Sequence, residues 1–154
     1  NEAKKYILKK IPLVSKVFQF NSVIGDIKLE YIEFKVLIYE VISKKKNNKI
    51  FRNETKKETI TMLVNTYNGH SESIDKIPNT LNKYISKSCI RKSKINEDDL
   101  VNVVKKEIIT RLTDRLRYYS IDKVTIQINI VDIKSIYKPY WIADFRGRNI
   151  FIDP

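Results

Sequence analysis

Apolar side chains between residues 96 and 118 recur three and four positions apart, at Leu100, Val103, Val104, Ile108, Leu112 and Leu116. That spacing lays one stripe along a helix. Asn96 stands where an N-cap is wanted, and Glu97-Asp98-Asp99 follow at the positive end of the helix dipole. Arg111, Arg115 and Arg117 gather at the opposite end. A shorter helix is expected before it, with Pro78 in its first turn and Leu81, Tyr84 and Ile85 as a small apolar face. Arg91-Lys92-Ser93-Lys94 then links the two helices.

Both flanks read as strand. Residues 27–34 alternate apolar and polar, and the apolar parity switches near Tyr31, which predicts a bulge or bend. Val36 to Ile42 continues as a β-branched and aromatic run. The charged stretch Lys44 to Glu58 is expected to be a flexible loop leading to a strand at 59–66, and Asn68-Gly69 marks a turn. Beyond the long helix, 124–130 alternates with period two. Tyr140 to Phe145 and Asn149 to Ile152 flank Arg146-Gly147-Arg148 as a hairpin, and Pro139 on its approach suggests an edge or a bend.

The pattern predicts an α+β fold: a mainly antiparallel sheet of about five or six strands, one long amphipathic helix packed on one face, and a short helix preceding it. The flanks 27–69 and 124–154 read either as a pseudo-repeat or as two ordinary hairpins of one sheet. A chain of 154 residues can bury one core, so a single domain over 1–154 is expected. It starts without Met and stops at Pro154, which reads as a fragment of a longer chain.

Charge changes the picture. Thirty Lys and Arg against eighteen Asp and Glu give +12, a balance that favours polyanionic partners. Ile, Lys and Asn make up 61 of 154 residues, the bias of an AT-rich genome, so part of the lysine excess is compositional drift. The seven arginines are harder to explain that way, and five of them fall in the last third. The excess is also uneven: +8 over residues 1–57, zero over 58–100 and +4 over 101–154.

Catalytic signatures are sparse. Three glycines make no phosphate loop, and one His and one Cys make no typical zinc site, so no cofactor is expected. His70 reads as a turn residue, and lone Cys89 favours a reducing, cytoplasmic setting. Asp132, Asp144 and Asp153, expected on successive strands with Lys134 nearby, are the one carboxylate set that would suit a metal-dependent nuclease. No apolar run approaches the ~20 residues of a membrane span.

Two basic sets stand out as candidate contacts for nucleic acid or another anionic surface. One is the run Lys44, Lys45, Lys46, Lys49, Arg52, Lys56 and Lys57, whose mobile charges would track phosphates. The other is Arg146 and Arg148 beside Tyr140 and Trp141, where rings would stack on bases. The expectation is a non-enzymatic binding or assembly domain that meets nucleic acid through backbone charge. The alternative is a protein–protein module of a larger complex, with the strand at Lys35–Ile42 or the segment Tyr137–Trp141 as its contact edge.

Overall fold

The computed structural model describes residues 27–46, 53–118, 124–145 and 148–153. Within them the order is β1 (Ile27–Lys46), β2 (Asn53–Asn65), β3 (Ser71–Ser73), a 3₁₀ turn (Lys87–Cys89), α1 (Glu97–Tyr118), β4 (Val124–Phe145) and β5 (Arg148–Ile152). The strands form one antiparallel sheet in the order β3-β2-β1-β4-β5. The α+β class with a five-stranded antiparallel sheet is therefore established.

β1 is the axis of the molecule. It pairs with β2 from Phe34 to Lys46 and with β4 from Ile27 to Lys45. The stretch Lys35–Ile42 is thus hydrogen-bonded on both sides, and the reading of it as an exposed edge is overturned. Its sequence explains why: Val36 and Leu37 are consecutive and both fully buried, so each face of β1 is covered. A strand buried on both faces reads as a continuous apolar run rather than an alternation.

The parity switch near Tyr31 marks no bulge in β1, whose register with β4 runs without a shift from Ile27 to Ile38. The register irregularity lies elsewhere, opposite the Ile38/Tyr39 step, where Val131 is the extra residue of β4. Strands of 20 and 22 residues are several times the usual length, and a bulge lets so long a pair keep twisting. β4 also joins what the sequence read as two strands, so Asp132 and Asp144 share one strand instead of lying on successive ones.

The charged stretch after Ser43 is another correction. β1 runs through Lys44, Lys45 and Lys46, and β2 starts at Asn53, with Lys44 opposite Thr55 and Lys45 opposite Glu54. Alternating Lys, Thr and Glu suit a solvated strand pair, so the two strands extend where a loop was expected. Pro139 falls on β4 just before β5 begins to pair at Trp141, which fits a proline at a strand edge.

α1 forms as its stripe predicts. The Asn96 side chain accepts a hydrogen bond from the Asp99 backbone N–H at 2.8 Å and returns one to the Asp99 carboxylate at 2.6 Å. Leu100, Val104 and Ile108 are buried against Leu37, Tyr39, Val41, Met62, Val64 and Ile128, and Leu112 packs on that cluster. Val103 was counted in the stripe but is 58 % exposed, because it projects from the flank of the helix. Each fully buried side chain here contributes about 1.5–3 kcal/mol.

The short preceding helix is absent; only the 3₁₀ turn Lys87–Cys89 forms. Asn79, Thr80 and Asn82 are poor helix formers, and Leu81 and Tyr84 find nothing to pack on, being 92 % and 94 % exposed. A helix this short does not offset its nucleation cost without such packing. No helix among the described residues is long and apolar enough to cross a membrane.

Candidate nucleic-acid interface

The described members of the two basic sets lie at opposite ends of β1. Lys44, Lys56 and Lys57 are exposed near the β1–β2 hairpin end, where Lys56 pairs with Glu58 at 2.6 Å and Lys57 with Glu40 at 2.7 Å. The side chains of Lys45 and Lys46, and residues Lys49, Arg52 and Arg146, lie outside the described residues. Tyr140 and Trp141 sit opposite Glu30 and Leu29, and Arg148 is exposed at the start of β5. Fourteen residues of β1 separate Glu30 from Lys44, about 45 Å at the usual strand rise. The structure does not bring the two sets together, and Tyr140 and Trp141, as consecutive strand residues, point to opposite faces.

It brings together a different set around Tyr140. The Phe151 ring packs edge-on against Tyr140, with centroids 6.4 Å apart, and tilted against Tyr67 at 5.4 Å. The Arg91 guanidinium stands over both partners of the second pair, 4.8 Å from the Tyr67 centroid and 5.1 Å from Phe151. Lys94 lies 4.0 Å from the Tyr67 centroid and Lys138 5.2 Å from that of Tyr140. Arg91 is also paired with Glu30 at 2.9 Å, and Lys138 with Asp153 at 2.6 Å. Hydrogen bonds from Lys94 and then Arg91 hold the Tyr67 hydroxyl below the usual tyrosine pKa.

Beside these rings an open groove of about 510 Å³ is lined by Tyr67, Glu30, Ser88 and the run from Ile90 to Lys94. Three cations and one carboxylate border it, and Lys92 and Lys94 are exposed. Such a groove can hold phosphate oxygens on its lysines while a ring or guanidinium plane meets a base.

Backbone pairing sets this geometry. Ile90 bridges Tyr31 in parallel, and Arg91 N–H donates to the Tyr31 carbonyl at 2.9 Å, so the linker borders β1 where β2 has ended. Lys94 N–H donates to the Thr66 carbonyl at 3.1 Å. Tyr67 is aimed by the turn after β2, where the Asn65 side chain accepts from the Tyr67 N–H at 2.9 Å. Gly69 adopts φ 76°, and a Cβ there would meet Ile95 Cδ1 at 2.9 Å, so only glycine closes this turn without strain.

A polar network underlies the linker. Glu33 accepts from Ser135 at 2.8 Å and Ser93 at 3.0 Å, and pairs with Lys35 at 3.1 Å; Lys35 reaches Glu97 at 2.6 Å. Thr66 Oγ1 lies 2.8 Å from Ser93 Oγ. Burial alone would raise the Glu33 pKa, but the hydrogen bonds from Ser135, Lys35 and Ser93 prevail and lower it. A lowered carboxylate stabilises the fold above its ordinary pKa near 4.5, and that contribution disappears as pH falls through the native value. Glu33→Gln is expected to cost about 1–2 kcal/mol at pH 7 in urea denaturation. The gap from the parent should close as the pH is lowered well below 4; a gap that stays constant would show that ionisation is irrelevant.

The carboxylates considered for a nuclease are not gathered. Asp132 accepts from the Ile133 N–H at 2.9 Å and pairs with Lys134 at 3.1 Å, Asp144 lies twelve residues further along β4, and Asp153 pairs with Lys138. Among the described residues no three His, Cys, Asp or Glu side chains are placed to share a metal ion. The sequence reading passed over Tyr67, Arg91, Lys94, Lys138 and Phe151. Their one local signal was Arg-Lys-Ser-Lys at 91–94, and the Tyr31–Ile90 bridge that seats it spans about sixty residues. No protein-family model matches the chain, and no curated protein or solved structure matches it either.

Proposed function

We propose that this is a binding domain whose Tyr67–Arg91–Lys94 groove takes single-stranded nucleic acid through its phosphates. The observation that carries the reading is the placing of Arg91, Lys92 and Lys94 beside the Tyr67, Phe151 and Tyr140 rings at an open groove. Duplex readout would need a helix or ribbon shaped for a groove, whereas exposed cations beside half-buried rings suit an unstacked strand. The net charge of +12 adds long-range attraction for any polyanion. Cys89, free and half-buried, agrees with the cytoplasmic, reducing setting in which such a ligand is met.

The test is fluorescence anisotropy with a labelled mixed-sequence oligonucleotide at about 50 mM salt. Binding should weaken as salt rises, with a log–log slope of about −0.7 per phosphate contacted. Lys92→Glu with Lys94→Glu should weaken it at least ~10-fold, equivalent to about 1.4 kcal/mol. Lys56→Glu with Lys57→Glu, at the far end of β1, should change it less than about threefold, since both lysines already face carboxylates. No binding at low salt, or equal losses from the two pairs, would remove the proposal.

A further inference from the structure

Leu81 and Tyr84 are the most exposed large apolar side chains described, at 92 % and 94 %. They lie in a segment without regular structure, from Pro78 to Ser86, that joins β3 to the 3₁₀ turn. No backbone hydrogen bond ties the N–H groups between Ile74 and Cys89 to the rest of the chain, among the described residues. Scattered apolar residues on a surface need no explanation, but two large ones in one unanchored segment do.

The sequence of this segment carries a helical pattern that the free chain does not use. At 100° per residue, a helix over Pro78–Lys87 gathers Leu81, Tyr84 and Ile85 into one stripe about 100° wide. The same helix places Lys83 and Lys87 on a second stripe, about 130° away. Pro78 suits the first turn, and the existing 3₁₀ turn Lys87–Cys89 would extend the last one once Ser86 leaves its extended conformation (ψ 136°). What the free chain lacks is an apolar surface to offset nucleation. In an extended strand, by contrast, Leu81 and Tyr84 would face opposite sides.

We infer that residues 78–87 are a recognition segment for a protein partner and fold on it as a short amphipathic helix. Leu81, Tyr84 and Ile85 enter an apolar groove, and Lys83 and Lys87 meet carboxylates along one rim of that groove. Charge selects this occupant over a second copy: two chains of +12 repel, whereas an acidic rim attracts both the local lysines and the whole domain. The segment adjoins the Tyr67–Arg91 groove through Ser88, but none of residues 78–87 lines that groove, so the inference does not rest on nucleic-acid binding.

The test starts from the full chain with a photo-crosslinking phenylalanine analogue at Tyr84, expressed in its native cells. The adduct only names the partner; the purified partner is then titrated with variants. Leu81→Asp and Asn82→Pro should each weaken binding at least ~10-fold, and Asn82→Ala should bind as tightly as the parent or tighter. Lys83→Glu with Lys87→Glu should weaken it and flatten its salt dependence. Amides 81–87 should become protected from hydrogen exchange on binding. All variants should keep the parent melting temperature, because Leu81, Asn82, Lys83 and Lys87 are exposed in the free fold. Absence of any adduct, unchanged binding by Asn82→Pro, or unprotected amides 81–87 would each overturn the inference.

Discussion

Leu37→Ala is expected to lower the unfolding free energy by about 3–4 kcal/mol, the middle of the range for a buried leucine. Leu37 is fully buried in the centre of the cluster that joins β1, β2, β4 and α1. Its neighbours are held by long strand pairs on both sides, so they have little freedom to close over the cavity. Val103→Ala serves as the matched control. Val103 fits the periodic stripe of α1 equally well on paper but is more than half exposed, so its loss should be about 0.5 kcal/mol or less. Urea denaturation of both variants, with the slope m unchanged and the midpoint shifted only for Leu37→Ala, measures the difference. Similar losses from the two would mean that α1 is rotated about its axis relative to the arrangement described.

That pair of residues also marks what a sequence of this kind reveals about itself. The long helix was legible because cap, charge and stripe agree, and even its cap bond from Asp99 to Asn96 is present. The antiparallel hairpins were legible from alternation. Strand ends were not: Lys44–Lys46 and the residues from Asn53 on look like a charged loop, yet they pair because a long strand ladder continues wherever no Gly or Pro stops it. Strand order was hidden as well, since nothing local tells a central strand from an edge except burial on both faces. The side-chain cluster was the least visible. Tyr67, Arg91 and Phe151 are separated by dozens of residues and meet only after the sheet has closed. The lysines that looked most like a binding run are in part neutralised by cross-strand or next-neighbour carboxylates, which is what charges facing across a solvated ladder do.

The second large effect belongs to alkaline pH and to Tyr39. Its ring is fully buried under α1, its hydroxyl donates to the Val101 carbonyl at 3.0 Å, and burial pushes its pKa up to about 12. The native state therefore keeps the phenol neutral where an unfolded chain would begin to ionise near pH 10. Protons favour the native state in that window, so stability is complete below pH 10 and falls as pH rises toward 12, by up to about 3 kcal/mol in all. Lys35 acts in the same direction. Burial works against its charge, but hydrogen bonds to Glu97 and Glu33 prevail and raise its pKa, so its contribution is present at neutral pH and lost once the ammonium titrates above its ordinary 10.5. Tyr39→Phe separates the two groups. At pH 8 it should be about 1 kcal/mol less stable than the parent, because the Val101 carbonyl loses a donor. Above pH 10 only the parent carries the phenol penalty, so the two curves should cross near pH 11, and at pH 12 the phenylalanine variant should be the more stable by about 1 kcal/mol. Urea midpoints at pH 8, 10, 11 and 12 decide the matter. A difference that does not vary with pH would mean that the phenol is hydrated in the native state, and that α1 does not seal the centre of β1.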